Sequence, residues 1–120
     1  LIIRSSGKTI RNYIFVDDVC NAYIKLMYFM KKSKSICNIF NIGSNITLNP
    51  IQLANIIYKI CDTKPNIEIK NNSKQEINFQ KLNYKKAINK LNWKPKTTVK
   101  KGLEATVNWY KDNFNKLSKY

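Results

Sequence analysis

The chain has 120 residues, a net charge of +15, 43% hydrophobic and 12% aromatic residues, which suits one globular domain with a modest core. No apolar run approaches the length of a bilayer span, so a membrane partner is not expected. The positive charge points toward nucleic acid, but Lys supplies 20 of the 22 basic residues and Arg, the side chain suited to bidentate recognition, only two. The lysines are scattered, and Asn and Ile (17 each) are enriched with them, as in an AT-rich coding sequence. Scattered Lys reads as a solvated surface.

Cys20, Cys37 and Cys61 form no C-x-x-C pair, and the chain has no His. That excludes a zinc site and a disulfide framework, and fits a reducing, cytoplasmic setting.

The chain opens within the apolar run Leu1-Ile2-Ile3, a start expected of a piece of a longer protein. Leu1–Arg4 and Thr9–Val16 read as extended pieces around a Ser5-Ser6-Gly7-Lys8 turn. Asp17 and Asp18 are placed to cap a helix reaching about Lys32, with Val19, Ala22, Tyr23, Leu26, Met27 and Met30 as its core face. Ile36–Ile42 reads as a buried strand closed by Gly43-Ser44-Asn45.

Asn49-Pro50 predicts a second helix, with Asn as cap and Pro at the first position. A short strand is expected within Pro65–Lys70 and a polar loop over Asn71–Gln75. A third helix spans about Tyr84–Leu91. The last starts near Thr98 and stacks Val99, Leu103, Val107, Tyr110 and Phe114. The order is β-β-α-β-α-β-α-α, an α/β chain read as one domain over 1–120.

Most catalytic chemistry is absent. Three distant glycines make no phosphate loop, and a His-based triad is impossible. Asp17 and Asp18 are explained by helix capping. Tyr28 and Lys32 satisfy Y-x-x-x-K, yet Tyr28 lies off the apolar stripe and such matches arise by chance among seven Tyr and 20 Lys. Arg11 differs: a cation at a strand-to-helix switch is placed to meet an anionic ligand, or equally to pack its stem on a sheet.

Four segments, in order, resemble the NAD-dependent sugar-nucleotide epimerases and 4,6-dehydratases of the extended short-chain dehydrogenases. Arg11–Val19 resembles their R-D-F/Y-I/V-Y/F-V-x-D-V pattern, and Phe40–Ser44 matches F-N-I-G-S. Lys86–Pro95 resembles K-A-x-x-x-L-G-W-x-P, and Val99–Tyr110 resembles L-E-E-G-L-x-x-T-x-x-W-Y. Ile2–Gly7 and Glu76–Gln80 are most similar to relatives of CDP-glucose 4,6-dehydratase.

The resemblance implies the C-terminal portion of a Rossmann-type extended short-chain dehydrogenase: the last sheet strands plus a small, mainly helical substrate-binding region. Arg11 then stands where the family's Arg binds the diphosphate of a nucleotide sugar. Asn49 stands beside the nucleotide, and Gln80 is the nearest candidate for the family's second diphosphate-binding position. Catalytic residues and the NAD site belong to an upstream Rossmann half, so no residue here is assigned to catalysis, Tyr28 and Lys32 included. The implied full-length protein is a lyase or isomerase, commonly a homodimer, and this part alone is inactive. Asn12, Asn83 and Asn92 depart from the pattern's Asp, Asp and Gly. The competing readings are a truncated non-catalytic pseudoenzyme, a basic interaction module and, less favoured, a nucleic-acid binder.

Overall fold

The computed structural model describes residues 1–33, 38–73 and 75–117. The elements run β1 (Ile2–Ile3), β2 (Arg11–Asn12), α1 (Val16–Lys32), β3 (Thr47–Leu48), α2 (Pro50–Ile60), β4 (Glu68–Ile69), α3 (Lys85–Leu91) and α4 (Val99–Leu117). They gather into two compact units: Leu1–Thr9, Asn49–Asn78 and Thr98–Tyr120 form the first, and Ile10–Leu48 with Phe79–Thr97 the second.

In the first unit β1 runs parallel to β4, with Ile2 opposite Glu68 and Ile3 opposite Ile69. Gly7 turns the chain after β1 at φ +72°, and a Cβ there would lie 2.7 Å from Ile51 Cδ1. Pro50 starts α2 behind a full capping box: Asn49 Oδ1 accepts from Gln52 N at 2.7 Å, and Gln52 Oε1 accepts from Asn49 N at 2.9 Å. Helices α2 and α4 pack together. Only the first half of the predicted α4 stripe is covered: Val99, Leu103 and Val107 are half-buried, while Tyr110 and Phe114 are exposed. Helical spacing at the end of α4 therefore does not translate into burial.

The second unit pairs β2 antiparallel to β3, Arg11 opposite Leu48 and Asn12 opposite Thr47. Its core is Ala22, Tyr84, Ala87, Leu91 and Trp93, ringed by Ile14, Leu26, Phe29, Phe40 and Ile42. Trp93 meets Tyr84 edge-on at 6.2 Å, and Phe29 meets Phe40 the same way at 5.7 Å.

Three expectations are corrected in this unit. First, no side chain caps α1: its N-cap is Phe15, and Asp17 and Asp18 lie inside the first turn. Their charge still suits the helix start, but Asp18 is buried and serves another segment.

Second, the buried face of α1 is rotated from the predicted stripe. It runs through Asp18, Ala22, Leu26 and Phe29, whereas Tyr23, Met27 and Met30 are 66%, 48% and 54% exposed. At 100° per residue, Val16, Cys20, Tyr23, Met27 and Met30 line a second side that adjoins the first at Leu26, so α1 is apolar over a wide arc and only part of it is covered.

Third, Asn38–Ile42 is not a strand, for it has no ladder partner among the described residues. Ile36 and Cys37 lie outside those residues. The segment alternates as a strand does, with Phe40 and Ile42 turned to the core and Ile39 76% exposed. The third strand in chain order is instead Thr47–Leu48.

Candidate functional site

Arg11 sits on β2, half-buried, in register with Leu48. Its Nη1 donates to the carbonyl of Ile10 at 2.9 Å. The same carbonyl accepts the backbone N–H of Gln80 at 3.0 Å, and Ile10 bridges in parallel to Phe79. The structure thus brings Arg11 and Gln80 to one backbone oxygen. Asn49 belongs to the first unit, and its Oδ1 is committed to capping α2. The guanidinium is a five-donor fork suited to phosphate oxygens.

Past Gln80, a partly open cleft of about 450 Å³ is lined by Asn45, Lys81, Asn83, Tyr84 and Lys85, with Leu82 and Ile88. Its two ammonium groups make it a cationic neighbourhood, with no acidic side chain in its wall.

Two residues outside the predicted site set hold this unit. Asn12 bonds the 43–46 segment four times: Nδ2 to the carbonyls of Ser44 and Ile46, both at 2.9 Å, and to Ser44 Oγ at 3.4 Å, and Oδ1 from Ser44 N at 3.2 Å. Asp18 accepts from the backbone N–H groups of Lys96 at 3.0 Å and Thr97 at 2.9 Å, one on each carboxylate oxygen. Burial by itself would raise the Asp18 pKa; the N–H groups of Lys96 and Thr97, with the Lys96 charge, hold it below its ordinary value. Both residues were visible in the R-D-F/Y-like stretch, but their partners lie 32 to 79 positions away, beyond any local pattern.

The three departures from the family pattern each have a local reason. Asn92 ends α3 at φ +47°, the left-handed conformation that Gly favours and Asn tolerates. Asn83 Oδ1 accepts from Lys85 N at 3.1 Å at the start of α3, a task any Asp could share. Asn12 uses its donors as well as its acceptor. Lys86, from the Lys-Ala pair, donates to the Ile39 carbonyl at 2.8 Å and lies 4.7 Å from the Phe40 ring centre.

A dinucleotide cradle has no counterpart in these residues. Gly7 precedes a strand, Gly43 abuts Asn12 and Leu82, and Gly102 is buried within α4. No group of three His, Cys, Asp or Glu side chains among the described residues could hold a metal ion, and no helix is long and apolar enough to cross a membrane. Tyr28 is 58% exposed, with Lys31 rather than Lys32 over its ring.

No protein-family model matches the chain. Among curated proteins it is 31% identical to human dTDP-D-glucose 4,6-dehydratase, over 94% of this chain and 33% of that protein. Among solved structures it resembles UDP-glucose 4-epimerase of Thermotoga maritima, determined with UDP-glucose, with a TM-score of 0.83 and 29% identity over 95% of this chain and 35% of that one. It also shares the fold of dTDP-glucose 4,6-dehydratase from Bacillus anthracis, determined with NAD, at a TM-score of 0.81 and 24% identity over 94% of this chain and 35% of that one. The chain spans about a third of the length of these relatives. It belongs to the extended short-chain dehydrogenases of the sugar-nucleotide epimerase and dehydratase family, and corresponds to the C-terminal part of its members.

Proposed function

We propose that residues 1–120 serve as the substrate-binding portion of an NAD-dependent sugar-nucleotide epimerase or dehydratase, with Arg11 binding the diphosphate. The observation that carries this reading is the shared Ile10 carbonyl, which orients the Arg11 guanidinium and fixes Gln80 beside it. A planar, permanently charged fork on a short strand can bond two phosphate oxygens at once, which a flexible lysine cannot. The Gln80 side chain, a neutral donor and acceptor, leaves the backbone next to that shared oxygen. Asn49 enters through the family resemblance, and any contact it makes falls to its Nδ2, because its Oδ1 caps α2.

NAD would be held by an upstream Rossmann half, which also supplies the catalytic residues; this chain's own residues do not fit the cofactor. The chain alone then binds substrate without turning it over. The uncovered face of α1 supports such a partner. A helix apolar over so wide an arc is stable between two layers, and the strand-like Asn38–Ile42 beside it has the alternation of a sheet member without its ladder. The full-length protein is proposed to be a cytoplasmic homodimer, a reading supported by the family resemblance; the cytoplasmic part is also supported by the free thiols of Cys20 and Cys61. Calorimetric titration of the chain and of Arg11→Ala with CDP-, UDP- and dTDP-glucose tests the binding reading and identifies the base.

A further inference from the structure

We propose that Asn12 is the positioning residue for Arg11, clipping its strand to the Gly43–Ile46 segment, and that an amide rather than a carboxylate is required there. The proposal rests on the diphosphate reading of Arg11.

The β2–β3 ladder is two residues long, too short to fix a side chain by itself. Asn12 supplies what the ladder lacks. Its Nδ2 donates to the carbonyls of Ser44 and Ile46, and its Oδ1 takes the Ser44 N–H. Ser44, 2% exposed, continues the seam: its hydroxyl donates to the Tyr13 carbonyl and accepts from Ile46 N at 2.9 Å. Tyr13 N then donates to Ile46 O at 3.0 Å. The residues after Arg11 are thereby sewn to a neighbouring segment through both side chain and backbone.

The pattern selects the amide. Two of its contacts are carbonyl oxygens, which need a donor, and an ionised carboxylate has none. The Ser44 N–H needs an acceptor, so the orientation of the amide is set by its surroundings. Asp at 12 would turn a charged acceptor toward two carbonyls, removing the side-chain donor from the Ser44 carbonyl and leaving the Ile46 carbonyl with only the Tyr13 N–H. Gly43 is part of the same device, since a Cβ there would come within 2.8 Å of Asn12 Oδ1 and 3.0 Å of Leu82 Cβ. The Asn that departs from the family's Asp is thus matched by its own partners.

The test is a double-mutant cycle read by titration of the chain with CDP-, UDP- and dTDP-glucose, with Asn12→Ala, Asn12→Asp, Arg11→Ala and both double variants. Amide exchange at Tyr13, Ser44 and Ile46 is followed alongside, with the Trp93 indole N–H as the folding control. Both Asn12 variants are expected to weaken binding of the nucleotide sugar that the wild type binds roughly tenfold while Arg11 is present and to have no further effect once Arg11 is Ala. Exchange should quicken at the three amides and stay unchanged at Trp93. An equal loss of affinity in both Arg11 backgrounds, or unchanged exchange at the three amides, overturns the role of Asn12 and leaves Arg11 in place. No binding of CDP-, UDP- or dTDP-glucose by the wild-type chain overturns the diphosphate reading itself, and the role of Asn12 toward that ligand with it.

Discussion

The indole Nε1–H of Trp93 donates to the backbone carbonyl of Asp18 at 3.0 Å, both groups buried. That bond ties the first turn of α1 to the segment after α3, and the Asp18 carboxylate doubles the tie by holding Lys96 and Thr97. One residue therefore serves through both its main chain and its side chain. Asp18→Asn should cost about 1–3 kcal/mol, since an amide can accept one of the two N–H groups but turns its own donors on the other. Urea unfolding followed by Trp fluorescence measures this.

The same carboxylate makes stability depend on pH. Its folded pKa lies below the ordinary 3.8, so its contribution is fully present above that value and is lost as the pH falls through the folded value. Wild-type stability should decline in the acid range below about pH 4. Asp18→Asn should lack this part of the decline. Parallel acid titrations of the two proteins check the difference.

The capping box of α2 is a second separable element. Asn49→Ala should destabilise the chain by about 0.5–2 kcal/mol, and Asn49→Gly by only a few tenths. Thermal unfolding by circular dichroism distinguishes them.

The bare side of α1 carries a thiol, which makes it measurable. Cys20 is exposed and shares that side with Tyr23 and Met27. In the chain as described, Cys20 is exposed and should react readily with a maleimide. A protein that also carries the upstream half should protect it strongly, and Met27→Glu in that longer protein should restore the reactivity. Equal labelling in both forms would remove the proposed docking face.

Much of the fold was legible from local signals. Asn49-Pro50 marked the start of α2, Gly7 marked a turn at positive φ, and the element order came out as expected. What local signals could not supply was the partner of each element. Tyr23, Met27 and Met30 have the periodicity of a core face, but periodicity shows only that a face is apolar, and this one is uncovered in the chain. Asn38–Ile42 has the pattern of a strand without a ladder partner among the described residues, because strand formation needs a second chain segment alongside. At the candidate site, Arg11 stood out as one of two arginines, whereas Asn12 looked like drift in an Asn-rich chain until its four bonds were in view.

The central claim is that Arg11 binds a nucleotide-sugar diphosphate, and calorimetric titration of wild type and Arg11→Ala tests it most directly. The account predicts saturable binding of one of CDP-, UDP- or dTDP-glucose at moderate salt, weakened roughly 10- to 100-fold in Arg11→Ala, as expected for loss of hydrogen bonds to a charged group. Equal binding of all three that collapses with salt and is unchanged in Arg11→Ala would contradict it, and would leave only the electrostatics of a +15 surface.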